Sequence, residues 1–262
     1  VVEDSLGHQY IQAITQDENM QYATLSVNSF INHKFNAKHI IRTGLTAHHK
    51  TFDLYMKDYN YEERVLETLV SNSGSTQMIE GYLQWQYRVT EKVELNTGLH
   101  GTYMFLNDDF VIEPRMGFTW KANDKNSFNL GAGLHSKAEP LSIYLSENEA
   151  ADGTISTPNM DLDITKSAHF VAGYNWNFAK DFRLKTEIYY QYLYDVPVKV
   201  GDTTGTVSAL NFSSGYTNEK LSNQGTGRNY GVELTLEKFF SNNYYLLATG
   251  SIFESKYTMP DF

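Results

Sequence analysis

At 262 residues, with 41% hydrophobic residues, no cysteine and a net charge of −10, the chain excludes several classes at once. Its acidic balance argues against nucleic acid, which is held by clustered Lys and Arg. The missing cysteines remove disulfide frameworks, thiol nucleophiles and Cys-based metal sites. Mean hydropathy is −0.45, and the longest apolar runs, such as 244–248, fall far short of the ~20 residues of a spanning helix.

Low hydropathy does not argue against a membrane, because a barrel strand carries its apolar residues at every second position. The length allows one large β domain or two ordinary ones. The 19 Tyr suit the aromatic girdles of a barrel, and equally a glycan- or peptide-binding sandwich. Val1-Val2-Glu3-Asp4 lacks the basic and apolar regions of a signal peptide, so an exported form is expected to be a mature or truncated chain.

In chain order, 1–20 read as irregular. Tyr22–Phe35 alternates, with Ala23, Leu25, Val27, Ile31 and Phe35 in one register; 36–38 is a tight turn, and a second strand runs from Ile40 to about Leu54. A long loop is expected over 55–76. In the next strand Ile79, Gly81, Leu83, Trp85, Tyr87 and Val89 alternate with Glu80, Tyr82, Gln84, Gln86 and Arg88, giving one apolar and one polar face. A turn at 90–92 leads into Val93, Leu95, Thr97, Leu99, Gly101 and Tyr103, and 107–109 make a short connection.

Strands follow at 111–122 and 127–136 around a turn at 123–126, then a long acidic loop at 137–165. Strands at 167–178 and 182–194 flank a turn at 179–181, and a Gly-, Ser- and Asn-rich loop is expected over 195–226. Strands at 229–239 and 244–256, joined at 241–243, bring the total to about ten. Alternating segments of ten or more residues exceed the ~5–6 of ordinary sheets and match outer-membrane barrel strands. Short and long connections alternate, as periplasmic turns and extracellular loops do. Both chain ends then fall outside, so the expected fold is an all-β antiparallel meander forming part of a transmembrane β-barrel, cut from a larger one.

Glu113-Pro114-Arg115-Met116-Gly117 with Trp120 resembles a barrel motif of TonB-dependent outer-membrane receptors of the Bacteroidetes type. Gly131–His135 with Pro140-Leu141, Lys166–Tyr174, and Arg183-Leu184-Lys185 through Tyr189-Tyr190-Gln191 to Val196-Pro197-Val198 extend the resemblance. Asn223–Phe239, with Gly225, Gly227, Asn229-Tyr230-Gly231, Glu233 and Glu237, is its strongest part. The resemblance covers about 110–256; the first hundred residues follow by pattern. It implies a plugged barrel of about 22 strands, of which 1–262 would be about ten, with the plug domain and closing strands elsewhere. It further implies the bacterial outer membrane, lipid around the barrel, and coupling to the TonB complex through a missing N-terminal part. The ligand would be an extracellular nutrient: siderophore, haem, glycan or peptide.

Candidate chemistry is sparse. His33, His39, His48 and His49 invite a metal reading, but adjacent strand residues face opposite sides, so His48 and His49 cannot chelate one ion. Glu147, Glu149, Asp152, Asp161 and Asp163 are hard oxygen ligands without EF-hand spacing. No metal or cofactor is expected. Tyr55, Tyr59, Tyr61 and Tyr216 are candidates for stacking on a ligand or for packing the loops. Glu80, Arg88, Glu113, Arg115, Glu187 and Glu233 are candidates for the lumen or plug face, against a reading as cross-strand charge pairs of ~0.2–1 kcal/mol. Nucleophile-elbow, zincin and phosphate-loop motifs are absent, so no enzyme is expected. A small complete barrel with protease or lipase activity and a secreted glycan-binding β-sandwich are the alternatives.

Overall fold

Alternation of polar and apolar side chains builds almost the whole molecule into one sheet. The computed structural model describes residues 2–3, 9–10, 15–60, 64–150, 152–202, 204–211, 216–217 and 219–260. Two short strands, β1 (Val2–Glu3) and β2 (Gln9–Tyr10), pair with each other. The large sheet begins with β3 (Gln16–Lys34), β4 (His39–Asn60), β5 (Val65–Arg88), β6 (Val93–Met104), β7 (Asp109–Lys121) and β8 (Asn126–Lys137). A loop then holds the one-turn helix α1 (Leu141–Tyr144) and a two-residue ladder, β9 (Asn148–Glu149) with β10 (Ile155–Ser156). The sheet resumes with β11 (Thr165–Ala179), β12 (Phe182–Lys199), β13 (Leu221–Ser241) and β14 (Tyr244–Thr258).

These ten strands are ordered as in the chain from β3 to β14, each antiparallel to its neighbours. Among the described residues β3 and β14 are the two open edges. The five short turns lie together at one end, and four of them show what holds them. Asn36 accepts from the backbone N–H groups of Lys38 and His39, Thr90 from those of Lys92 and Val93, and Asn123 from that of Lys125. Asn242 and Asn243 both take positive φ (50° and 66°), as a two-residue hairpin turn requires.

The opposite end departs from the sequence expectation. The segment 55–76 is not a loop: β4 runs to Asn60 and β5 starts at Val65. Similarly, β12 continues to Lys199 and β13 begins at Leu221, so the expected loop 195–226 contracts to 200–220. The extensions are polar enough to have read as loop, yet they keep the two-residue alternation. With 22 and 24 residues, β4 and β5 have at least twice the ~9–11 residues a strand needs to cross a bilayer, so they project beyond it. Bulges accommodate the extensions between Met56 and Lys57, and between Leu193 and Val196, where Asp195 takes φ 53°.

Pro114 opens the sheet locally. It has no N–H to give a ladder, and β7 pairs with β8 only between Lys121 and Arg115. Beyond that point the two strands separate, which lets the Ser136 hydroxyl of β8 reach the Glu113 carboxylate of β7.

Candidate functional site: the polar face and its loop cap

Directly opposed residues share a face, so the ladders sort every side chain. One row runs His39, Tyr87, Leu95, Phe118, Leu130, Ala172, Ile188, Val232 and Ile252. Leu83, Leu99, Phe170, Trp85, Trp120, Tyr174, Trp176 and Leu234 fall on the same side by alternation. Much of this face is exposed, for instance Leu99 at 53% and Ile188 at 53%. Near the short turns it carries a line of rings. His39, Trp85 and Tyr87 stack together; Trp120, Phe128 and Tyr174 form a second stack, and Trp176, Phe178 and Phe182 a tilted third. An exposed apolar band edged by aromatic rings is what a strand-built membrane protein presents to lipid.

The other face is polar. One row runs Arg88, Glu94, Thr119, Asn129, Gly173, Glu187, Glu233 and Ser251. All six charged residues singled out in the sequence lie on this side. Glu80 meets the His48 ring at 2.9 Å, and His48 in turn contacts the Ser26 hydroxyl at 2.8 Å. Arg88 pairs with Glu94 at 3.5 Å. Glu113, only 3% exposed, accepts from Arg115 and Ser136 and lies 2.9 Å from His100 Nδ1. Glu187 pairs with Lys185, and Glu233 sits exposed directly opposite Glu187. Farther along the same face, Asn229 donates to Gln191 at 2.8 Å and accepts from Ser255 at 2.6 Å.

Toward the loop end this face turns apolar and is covered. Phe52, Leu54, Met56, Leu69 and Val70 form one cluster with Leu145; Met104 and Val111 form another with Ile143, Tyr144, Leu162, Ile164 and Leu221. Residues 138–164 therefore fold over the polar face as a cap, driven by burial of α1 and of Leu162 and Ile164. Asn159, fully buried, fastens the cap: its amide donates to Ser146 Oγ and to the Glu219 carbonyl, both at 2.9 Å, and its Oδ1 accepts from Leu221 N–H. Asn107 donates to the Leu162 carbonyl, and Asn223 exchanges two hydrogen bonds with the backbone of Asp163. Burial pushes the Glu139 carboxyl and the Tyr144 phenol above their ordinary values. In the neighbouring loop, hydrogen bonds from Thr204 and from the backbone N–H of Val207 hold Asp202 below the carboxylate range.

The tyrosine candidates scatter. Tyr55 and Tyr59 lie on strand β4 rather than in a loop, and Tyr55 points to the side opposite Leu54 and Met56. Tyr216 packs against the cluster that contains Phe52 and Leu145. Tyr61 lies outside the described residues. His48 and His49 face opposite sides, His49 contacting Gln77 on the apolar face. Among the described residues no three His, Asp or Glu side chains converge on a point that could hold a metal. Asn159 and the cap were not legible in advance, since Asn159 sits in an irregular stretch without periodicity.

A family model, TonB dependent receptor-like, beta-barrel, matches residues 4–259. The chain belongs to that family. It is therefore part of a β-barrel of the Gram-negative outer membrane. No curated protein matches the sequence. Among solved structures it is similar to the siderophore receptor PirA from Pseudomonas aeruginosa (12% identity, TM-score 0.68, covering 92% of this chain and 45% of that one). It is also similar to the FrpB iron transporter from Neisseria meningitidis, F5-1 variant (13%, TM-score 0.62, 93% and 38%), and to the outer membrane transporter YddB from Escherichia coli (14%, TM-score 0.60, 91% and 34%). The chain spans less than half the length of each of these structures. They and the family are receptors and transporters rather than enzymes.

Proposed function

We propose that this chain is the barrel segment of a TonB-dependent receptor that imports a scarce nutrient across the outer membrane. In this reading 1–262 contribute about ten strands, and further strands of the same protein close the barrel at the β3 and β14 edges. A plug domain fills the lumen, and the TonB complex drives it from the periplasmic side. The observation that carries the reading is the division of one sheet into a lipid-type face and a polar face capped at the loop end only. Such a cap screens the mouth of a pore, whereas a secreted binding sandwich would bury the apolar face.

Glu80, Arg88, Glu113, Arg115, Glu187 and Glu233 then line the lumen and meet the plug or the passing ligand. Tyr216, packed beside the cap, is the tyrosine best placed near a captured ligand. No catalytic role is assigned to any residue. PirA is a siderophore receptor and FrpB an iron transporter, so ferric chelates are the first ligands to test.

The test is uptake of radiolabelled iron chelate by cells carrying the full-length receptor, against a form lacking 200–220. Loops carry recognition on a rigid scaffold, so the deletion is expected to abolish uptake and leave heat-modifiable gel mobility unchanged. Uptake at the normal rate would remove this loop from the site. A full-length protein that never enters the membrane fraction would remove the receptor reading.

A further inference from the structure

The apolar face carries charge at its loop-side edge that the barrel reading leaves unexplained. On β14 its register runs from Tyr244 to Ile252, the ~9–11 residues of a bilayer crossing, and then continues as Glu254 and Lys256. On β13 the same register passes Val232 and Tyr230 and reaches Arg228, directly opposite Lys256 on one side and Tyr192 on the other. Tyr190 stacks on Tyr230 and Tyr192 on Tyr194, with ring centroids 6.4 and 6.2 Å apart. These rings form a second aromatic line at the loop-side edge of the band, and the charges stand in it.

Those charges do not cancel. The Glu254 carboxylate accepts from the Tyr230 hydroxyl and pairs with Lys256, and Lys166, on the same face of β11, pairs with Asp195 at 2.7 Å. Arg228 is exposed and makes no ion pair among the described residues. Two cations in directly opposed positions repel, so this rim favours an added anion. Next to it the face is hollow. Ala132 and Ala172 are the floor of a groove of about 620 Å³ walled by Phe118, Phe170, Ile188 and Tyr190. Tyr190 opposes Tyr230, so Arg228 lies one strand across and two residues beyond this wall, about 8 Å between backbones at ~4.8 Å per strand and ~3.3 Å per residue.

From this we propose that rim and groove form a binding site for one anionic phospholipid, its phosphate on the Arg228 guanidinium and an acyl chain over Ala132 and Ala172. A guanidinium fork matches two phosphate oxygens, and the Tyr192 and Tyr230 rings stand where headgroup meets chain. At the edge of a bilayer the available anion is a lipid phosphate, and in a headgroup without an ammonium its charge is not already cancelled. The two alanines let a chain lie closer to the sheet than the flanking Phe118 and Phe170 do. The proposal rests on the reading above, in which this face meets lipid.

The experiment uses the full-length receptor in detergent, stripped of lipid and titrated with phosphatidylglycerol or phosphatidylcholine of identical chains, with bound lipid counted by native mass spectrometry. Two variants are compared. Arg228→Gln removes the unpaired cation, and Ala172→Phe fills the groove with every charge kept. The parent is expected to hold phosphatidylglycerol about fivefold more tightly than phosphatidylcholine. Arg228→Gln should abolish that preference, whereas Ala172→Phe should weaken both lipids several-fold and keep it, with unchanged heat-modifiable mobility in each. No preference in the parent overturns the site and leaves Arg228 to an acid of an adjoining strand. A preference that survives Arg228→Gln also overturns it, and retention unaffected by Ala172→Phe overturns the groove. Failure of the receptor reading is distinct, because the unmutated protein would then be soluble without detergent.

Discussion

Glu187 and Glu233 stand directly opposite each other on β12 and β13, two carboxylates on one face with, among the described residues, only Lys185 paired to Glu187. Like charges in directly opposed positions destabilise a sheet, so the pair would be relieved by a positive charge placed on that face. In the barrel without a lumen partner, Glu233→Gln is expected to raise stability by about 0.2–1 kcal/mol. Urea unfolding in detergent, followed by tryptophan fluorescence, reads the change. A loss of stability would mean that Glu233 already has a favourable partner within the barrel.

The outward face gives a depth-dependent prediction. Leu99 lies on the apolar face of β6, more than half exposed and well above the aromatic line formed by Trp85, Tyr87 and Trp120. Leu99→Arg should therefore cost about 2–4 kcal/mol, the penalty for arginine near the bilayer midplane. The same change at Phe240, exposed beside the β13–β14 turn, should cost about 0–1 kcal/mol because it sits near the interface. Refolding yields into lipid vesicles compare the two, and equal costs would contradict the facing.

The cap is held by a few buried side chains, so it should be separable from the sheet. Ile143 is fully buried among Met104, Val111 and Leu162. Ile143→Ala is expected to cost the docked cap about 2–5 kcal/mol. The readout is limited proteolysis, with faster cleavage within 138–164 and an intact barrel by gel mobility. Loss of barrel assembly would show that the cap belongs to the folding unit of the sheet.

Glu139 makes that docking pH-dependent. Its carboxyl is half-buried and accepts from the Thr165 hydroxyl at 3.0 Å, and burial raises its pKa above the ordinary glutamate value. A carboxyl whose pKa is raised on docking binds its proton more tightly in the docked state. Its stabilisation is fully present below the free carboxyl's pKa, about 4.3, and is lost as pH rises through the raised value. Protection of 138–164 from protease should accordingly decline with rising pH just above the normal glutamate range. In Glu139→Gln this step should be absent.

What the sequence disclosed follows from periodicity. The alternation in 77–105 fixed both faces and the turn at 90–92, because one face needs apolar contact and the other needs water. The strand extensions of β4 and β5 escaped notice because Tyr55, Lys57, Asp58 and Tyr59 look like loop chemistry. Their alternation serves a cap on one side and solvent on the other, with no lipid band to mark it. The cap was equally hidden, since Ile143, Tyr144, Leu162 and Ile164 come from irregular chain and meet Met104 and Val111 only in space. Arg42 reads in the sequence only as a polar-register residue of its own strand; that it shares a row with Gln84, Gly98 and Arg115 follows from cross-strand register, which is not readable from one strand.

Lys238 offers the most local test. It occupies the apolar-side register of β13 yet is only 3% exposed, because its ammonium turns back over the hairpin that follows. It donates to the Ser241 carbonyl at 2.9 Å and hydroxyl at 2.8 Å, reaches the Tyr244 carbonyl at 3.3 Å, and lies 3.8 Å from the centre of the Tyr244 ring. The charge thus serves as a clasp on the Asn242-Asn243 turn at the edge of the aromatic line. Lys238→Met keeps the aliphatic stem but leaves the turn oxygens without a donor, at an expected cost of about 1.5–3 kcal/mol for hydrogen bonds to a charged group. Hydrogen exchange should then quicken in Phe239–Leu246 and stay unchanged in β6 and β7. Uniform acceleration across the sheet would indicate a global role instead, and no change would show that the turn is held by its asparagines alone.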